Sequence, residues 1–294
     1  MHAIRVDRLT KRYGPTAALD GVTFQAAPGR ITGFLGRNGA GKTTTLRILV
    51  GLAAPTSGVA TIGGLRYQAI ADPARHIGAL LDGAGFHPGS SARAQLQALA
   101  RAIGVPTRRA DEVLALADLS AAADRKTGKL SLGMRQRLAL AGVLLADPSV
   151  LILDEPANGL DPQGLRWLRG LLRRLADEGR TILVSSHQLH EVALVADDVV
   201  VVHGGRVVAS GAVGDLIRTR VVATSPDAAV LGAVLAELGL DASLTGETVR
   251  IADASAAQIG NVAAAIGVTL HELRVESSSM EDVFFASIGG RSAA

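Results

Sequence analysis

Residues with the chemistry to bind phosphate are concentrated in a glycine-rich segment near the start of the chain. Residues 36–43, called here the phosphate loop, fit the pattern G-x-x-x-x-G-K-[ST]. In this pattern glycine backbones turn N–H groups toward phosphate oxygens, the lysine pairs with the β- and γ-phosphates, and the hydroxyl binds Mg²⁺. A nucleoside triphosphate with magnesium is therefore the predicted ligand. The residues predicted to bind it here are Gly36, Asn38, Gly39, Ala40, Gly41, Lys42, Thr43 and Thr44, with Thr43 also on the metal.

Two adjacent acids follow an apolar stretch in the middle of the chain. Residues 150–153 are Val-Leu-Ile-Leu, and Asp154 and Glu155 come directly after them. Mg²⁺ prefers oxygen ligands, and phosphoryl transfer to water needs a residue that orients the attacking water. We predict that Asp154 faces the metal and that Glu155 reaches this water. Without a phosphate loop in the same chain, two acids that merely begin a loop would be the default interpretation.

A mainly parallel sheet is predicted to bring these segments together. Residues 30–35 form an apolar strand directly before the phosphate loop, and a helix is predicted from Lys42 to about Val50. Buried strands are also predicted at 150–153, 181–184 and 198–203, with a helix over 162–178. Strands that alternate with helices in this way indicate an α/β fold.

The rest of the first 218 residues adds an antiparallel β subdomain and a helical insertion. Residues 4–9 and 18–24 alternate between apolar and polar side chains, as two antiparallel strands do, and Tyr13-Gly14-Pro15 is the predicted turn between them. Residues 90–146 have helical periodicity. We therefore predict one domain over 1–218, with a helical subdomain at about 83–147.

The sequence pattern changes after about Arg218. Short apolar segments follow in the order β-α-β-β-α-β, which fits a small α+β domain of ferredoxin-like type over residues 219–288. A short closing helix is predicted at 280–285, and residues 289–294 are predicted to be a loose tail.

Composition limits the classes of function. The chain has 294 residues, 48% of them hydrophobic, and a mean hydropathy of +0.30, yet charged residues interrupt every apolar stretch that approaches the roughly 20 residues of a membrane span. Zero cysteines exclude disulfides and thiol chemistry. The net charge of +3 and 3% aromatic content do not favour nucleic acid as a partner. With no secretion signal evident at the N-terminus, we expect the protein in the cytoplasm.

A further segment lies one helix before the acidic pair and identifies a family. Residues 130–137, called here the signature segment, run Leu-Ser-Leu-Gly-Met-Arg-Gln-Arg. They resemble the signature of ABC ATPases, whose usual core is Leu-Ser-Gly-Gly-Gln, with departures at Leu132 and Met134. Ser131 and Gly133 are retained, and a hydroxyl and a bare N–H at a helix N-terminus can bind a γ-phosphate. An ordinary serine cap of an amphipathic helix is the alternative.

The resemblance covers residue 4 to about residue 216 and implies further roles. ABC ATPases dimerise head to tail, so that the signature segment of one chain closes over ATP on the phosphate loop of the other. Asp161 matches the family's interface loop, His187 its switch histidine at the γ-phosphate, and Tyr13 its adenine-stacking aromatic, for which packing in the turn is the alternative. Asp82 occupies the place of the metal-contacting glutamine, with a structural loop aspartate as the alternative.

The implied function is ATP hydrolysis by a homodimer attached to an integral membrane permease. Residues 77–93 and 279–285 resemble ATP-binding subunits of bacterial antibiotic and multidrug exporters. Export of a small drug, antibiotic or lipid-like molecule is therefore expected, with the chain peripheral on the inner face of the plasma membrane. The alternatives are an importer subunit, an ABC ATPase acting on ribosomes or DNA, and a nucleotide-binding regulator without turnover.

Overall fold

The computed structural model describes residues 2–81, 85–216, 219–252, 254–277 and 282–283. Asp82, the predicted metal contact, lies outside the described residues, as do the predicted tail at 289–294 and most of the predicted closing helix, of which Asp282 and Val283 are described as helical. The chain divides into two compact units, Met1–Gly211 and Ala212–Ala294. The boundaries predicted from the sequence stay predictions.

Strands and helices alternate along the first unit. The elements are β1 (Ile4–Tyr13), β2 (Thr16–Ala26), β3 (Ile31–Leu35), α1 (Lys42–Leu49), β4 (Ser57–Ile62), α2 (Pro73–His76), β5 (Ile77–Leu80), α3 (Ala92–Ala102), α4 (Arg109–Leu116), α5 (Leu132–Val143), β6 (Val150–Asp154), α6 (Pro162–Asp177), β7 (Thr181–Ser186), α7 (Leu189–Ala193), β8 (Asp198–His203) and β9 (Arg206–Ala212). The predicted α/β class is confirmed. The sequence pattern did not reveal the short strands β4, β5 and β9.

A six-stranded sheet in the order β5-β6-β7-β3-β8-β9 forms the centre of the first unit. The pairs from β5 through β8 are parallel, and all five residues of β3 are buried, as expected for a strand covered on both faces. Because the strands are parallel, the carboxyl ends of β3, β6 and β7 meet at one edge. Asp154 is the register partner of Ser185, and Leu35 that of Ser186.

The opposite edge of this sheet is joined by an ion pair. Arg30, just before β3, donates from Nε and Nη2 to the carboxylate of Asp198 in β8, at 2.5 and 2.6 Å. This hydrogen bond, with the attraction of the nearby acids, raises the pKa of Arg30 despite partial burial. The guanidinium therefore stays charged, and the start of the central strand is fixed against its neighbour.

Two smaller groups of elements surround the central sheet. An antiparallel sheet in the order β2-β1-β4 shares one buried core with α1 and with β3. In this core Phe24 and Phe34 stack with their ring centroids 4.9 Å apart. Between β5 and β6 the chain forms α3, α4 and α5. Serines cap two of these helices, because Ser91 Oγ accepts from Ala94 N and Ser131 Oγ accepts from Met134 N, each at 3.2 Å.

The second unit is built on its own sheet and core. It contains α8 (Val213–Leu216), β10 (Thr219–Thr224), α9 (Ala228–Glu237), β11 (Ala242–Thr245), β12 (Thr248–Ala252), α10 (Ala256–Ala265) and β13 (Glu272–Ser277). The sheet is antiparallel in the order β11-β12-β10-β13. This is a β-α-β-β-α-β order in which one face of the sheet packs on α9 and α10. The core residues include Val221, Leu231, Leu235, Ile251 and Ile259.

No helix among the described residues combines the length and the apolar composition needed to cross a membrane.

Candidate functional site

The phosphate loop connects β3 to α1 and depends on glycine at its last turn. Gly41 has φ +104°, a conformation that L side chains rarely adopt. A Cβ atom at Gly41 would lie 2.5 Å from Leu19 Cδ2 and 2.7 Å from the carbonyl oxygen of Ala18. The loop therefore enters α1 in close contact with β2, and the helix begins at Lys42 with its N–H groups directed toward the loop.

Lys42 is held inside the loop by oxygen partners, among them Gly36 O, Arg37 O and the Glu155 carboxylate. Its side chain is only 6% exposed, Nζ donates to the carbonyl oxygen of Gly36 at 2.6 Å, and Nζ lies 3.3 Å from Glu155 Oε1. A buried ammonium group needs such partners because leaving water is costly. The lysine and the predicted catalytic acid are therefore direct neighbours, although 113 positions separate them in the sequence.

Thr43 and Asp154 form a second contact between the loop and the sheet. Thr43 Oγ1 donates to Asp154 Oδ2 at 2.7 Å. Ser185 Oγ donates to the other oxygen, Oδ1, in a short hydrogen bond. Sequence reasoning missed Ser185; the available signal was a hydroxyl directly after the apolar run Ile-Leu-Val of residues 182–184. Both oxygens of Asp154 are thus fixed by hydroxyl groups.

Glu155 and His187 meet beside this contact. His187 Nδ1 lies 2.8 Å from Glu155 Oε2. Glu155 has φ +48°, a left-handed conformation that costs a non-glycine residue about 1–2 kcal/mol. Hydrogen bonds from its N–H to Ser185 Oγ at 3.0 Å and to Ser185 O at 3.2 Å hold that backbone in place. The strained residue therefore directs its carboxylate toward Lys42 and His187.

The signature segment lines a different cavity. A cavity of about 330 Å³ contains the phosphate loop, with Lys42, Thr43 and Glu155 in its lining. A separate cavity of about 520 Å³ is lined by Ser131 and Asp161. Gly133 and Gly159 also line the second cavity. Within one chain the structure brings Lys42, Thr43, Asp154, Glu155 and His187 together, and it does not bring Ser131, Gly133 and Asp161 to them.

The family follows from comparison with known proteins. The family model described as "ABC transporter" matches residues 19–158. The bacitracin transport ATP-binding protein BcrA of Bacillus licheniformis is 44% identical over 206 residues, covering 69% of this chain and 67% of the relative, and that of Enterococcus faecalis is 33% identical, covering 98% and 97%. This chain belongs to the ABC transporter ATP-binding proteins. It is an ATPase, as the sequence predicted.

Other relatives of this ABC ATPase extend the comparison. The Nod factor export ATP-binding protein I of Paraburkholderia xenovorans is 37% identical, covering 84% of each chain. The solved structure of cbiO1 from Clostridium perfringens, part of an ABC transporter complex, is 32% identical with a TM-score of 0.65 and covers 72% of this chain and 89% of that one. Residues 219–281 match a domain family of unknown function.

A dimeric ATP-binding cassette is also among the solved structures similar to this ATPase. That cassette was solved in a post-hydrolysis state bound to ADP and Pi. It is 25% identical, with a TM-score of 0.64, and the match covers 71% of this chain and 98% of the cassette.

Tyr13 lies apart from the phosphate cavity of the ABC ATPase. It ends β1, its side chain is 52% exposed, and it is not among the described residues that line the cavity around the phosphate loop. Lys11 Nζ lies 4.9 Å from the centroid of its ring, a cation–π distance. The exposed ring leaves the predicted stacking on adenine a prediction.

Two oxygen-bearing side chains could hold a divalent metal in this ATPase. They are Thr43 and Asp154, which already touch each other. Among the described residues there is no cluster of three or more His, Cys, Asp or Glu side chains suited to a metal ion. One carboxylate and one hydroxyl suit Mg²⁺, which completes its octahedron with water and substrate phosphates rather than with an all-protein cage. The residues present therefore fit a magnesium–nucleotide site.

The departure at Leu132 is matched by a glycine in the loop after Glu155. Gly159 has φ +78°, and a Cβ there would lie 2.6 Å from both Cγ and Cδ2 of Leu132. Gln136 Nε2 also donates to Pro156 O at 3.2 Å. The signature helix and the loop before Asp161 thus pack directly on each other, and the larger side chain at Leu132 occupies the space that Gly159 leaves.

We expect Gly159→Ala to destabilise the first unit by about 1–3 kcal/mol, because it combines a left-handed backbone with overpacking. Thermal unfolding would show a Tm lower by about 2–4 °C for each kcal/mol. Adding Leu132→Ala should recover part of the loss by removing the clash. Gly64→Ala is the matched control, because Gly64 also has a positive φ, +84°, but no described atom lies within 4 Å of a new Cβ there. A Gly159→Ala variant as stable as the parent would contradict this account.

Proposed function

We propose that this ABC ATPase hydrolyses ATP with Mg²⁺ as one half of a homodimer and energises export through a separate membrane subunit. The proposal rests on one observation about where these residues lie. A lysine, a threonine, two carboxylates and a histidine lie together at one edge of the sheet. The signature segment lines a separate cavity. One chain thus presents two half-sites, which two chains in head-to-tail contact would complete.

The residues at the sheet edge divide the work of phosphoryl transfer. Lys42 exchanges its contact with Gly36 O for the β- and γ-phosphate oxygens, and the N–H groups of the loop and of the start of α1 surround the other phosphate oxygens. Thr43 and Asp154 would hold Mg²⁺, which neutralises charge on the phosphates when bound. Glu155 orients the attacking water, and His187, bonded to Glu155, contacts the γ-phosphate.

The second half-site supplies contacts to the ATP of the other chain. Ser131 caps α5. The backbone N–H groups in the first turn of α5, including that of Gly133, are suited to bind an anion. Asp161 caps α6 by accepting from Gly164 N at 2.7 Å, which fixes the loop that would lie at the interface. The dimeric cassette solved with ADP and Pi is a relative in which two chains meet.

Export is supported by the named relatives. One group is named for bacitracin transport and another for Nod factor export. By this analogy the cargo is a small antibiotic, drug or lipid-like molecule, and the chain acts on the inner face of the plasma membrane, bound to an integral permease. Since the cargo contacts the permease, its identity depends on that partner.

Purification of the tagged full chain from membranes of its native host tests this assignment. We expect co-purification of a polytopic membrane protein that lacks an ATPase of its own, and ATP-driven movement of a small molecule out of the cytoplasmic side when the pair is reconstituted in vesicles. The Lys42→Ala chain with the same permease is the control for the requirement for ATP. Recovery of ribosomes, or transport that requires a solute-binding protein, would overturn the exporter assignment.

A further inference from the structure

Ser185 is a fully buried hydroxyl at the point where two strands of the site meet. It lies in β7, paired in register with Asp154 of β6 and with Phe34 of β3, and its exposed fraction is 0%. The four residues before it in β7 are Thr, Ile, Leu and Val. A buried hydroxyl requires hydrogen-bond partners, and those of Ser185 identify its task.

Both partners of the hydroxyl belong to the acidic pair. Ser185 Oγ donates its single proton to Asp154 Oδ1 and accepts from the N–H of Glu155 at 3.0 Å. A serine has one O–H to donate, so the direction of each bond is fixed. With Oδ1 held by Ser185, the other oxygen of Asp154 faces Thr43 Oγ1 at 2.7 Å.

We propose that Ser185 is a positioning residue that orients the Asp154 carboxylate for the metal and secures the left-handed backbone of Glu155. This inference rests on the proposed function, in which Thr43 and Asp154 hold the metal. Without the hydroxyl, the carboxylate of Asp154 can rotate about the Cβ–Cγ bond. The oxygen beside Thr43 then loses its fixed direction. Residues that orient a metal ligand in this way typically change metal affinity by about 10–100-fold.

Ser186 provides a matched control next in the same strand. It is also buried, with 3% of its surface exposed. Its hydroxyl accepts from Gln188 N at 2.9 Å and donates to Gln188 O at 3.4 Å, in the turn after His187. Within the described part of the chain, neither hydrogen bond involves the acidic pair. Replacement of either serine by alanine removes one buried hydroxyl, but only replacement of Ser185 removes a bond to a predicted metal ligand.

The test compares Ser185→Ala, Ser186→Ala and the parent chain for binding of a fluorescent, non-hydrolysable ATP analogue, in EDTA and over a Mg²⁺ titration. For Ser185→Ala we expect the half-saturating Mg²⁺ concentration to rise about tenfold. In EDTA, its affinity for the analogue should stay within about twofold of the parent's. Addition of nucleotide without Mg²⁺ should raise its Tm as much as it raises the Tm of the parent. Ser186→Ala should keep the parent's half-saturating concentration.

Three results would overturn the proposal. The first is an unchanged Mg²⁺ requirement in Ser185→Ala. The second is an equal loss of affinity with and without Mg²⁺, which would mean that Ser185 only supports the strand. The third is a parent chain whose nucleotide affinity does not respond to Mg²⁺; this result alone would also remove the metal from the proposed function, so the two failures are distinguishable.

Discussion

Glu155→Gln is expected to leave ATP bound while turnover falls by at least about 10²-fold, because a positioned group that handles the proton of the attacking water contributes about 10²–10⁴-fold. The amide keeps the shape of the side chain but loses its charge and basicity. The measurement is a pair of experiments on the purified chain, steady-state phosphate release and equilibrium ATP binding.

The contacts of Glu155 add a second expectation for this variant. In the described structure the carboxylate lies 3.3 Å from Lys42 Nζ, so the variant leaves a buried lysine without its charged partner, a costly state. ATP phosphates can take that place. We therefore expect a larger rise in Tm on addition of ATP than in the parent. Glu237→Gln, which changes an exposed acid at the end of α9, is the control; near-normal phosphate release by Glu155→Gln would reject Glu155 as the catalytic carboxylate.

Lys42→Ala is expected to weaken nucleotide binding itself. A hydrogen bond to a charged group contributes about 1.5–3 kcal/mol, which corresponds to a loss of about 10–100-fold in affinity. The loss should be greater for ATP than for AMP, since the lysine serves the β- and γ-phosphates. Arg5→Ala removes an equal charge from the exposed face of β1 and should leave affinity unchanged. Unchanged affinity in Lys42→Ala would overturn the phosphate assignment.

The same variant can show whether the site belongs to two chains. Lys42→Ala destroys the phosphate loop, and Ser131→Arg blocks the signature half-site of a second preparation. In a head-to-tail dimer of one chain of each kind, one composite site is doubly damaged and the other is intact. Mixing two inactive preparations should therefore restore activity, to at most about a quarter of the parental rate, since about half of random pairs are mixed and each has one intact site. No recovery would indicate that each site lies within a single chain.

The phosphate loop and the acidic pair could be predicted from local sequence because each is contiguous in the chain. The glycine spacing, the lysine and the threonine all fall within eight residues, and an apolar strand leads directly into Asp154 and Glu155. The alternation of apolar segments also predicted the α/β class, and the six-stranded sheet confirms it. The edge strand β5 was missed because four residues after a helical turn give too short a pattern to distinguish a strand from a loop.

The order of elements in the second unit was visible in the sequence, whereas hydrophobic periodicity alone does not give the order of its strands in space. The segments after residue 218 predicted β-α-β-β-α-β, and the described sheet arranges those strands as β11-β12-β10-β13. Hydrophobic periodicity determines which face of a strand is buried. It does not specify which strands become neighbours, because that depends on how the two helices cover one face together.

The residues of the catalytic constellation were thus set by the sequence, and their contacts by the tertiary structure. Lys42 meets Glu155, Thr43 meets Asp154, and Ser185 bonds to both acids only because β3 and β6 lie on either side of β7 in a parallel register. Likewise, only the tertiary structure shows that Leu132, which departs from the family pattern, packs against Gly159. Such contacts join residues tens of positions apart. They depend on sheet order and register, which arise from packing of the whole unit and not from any local run of residues.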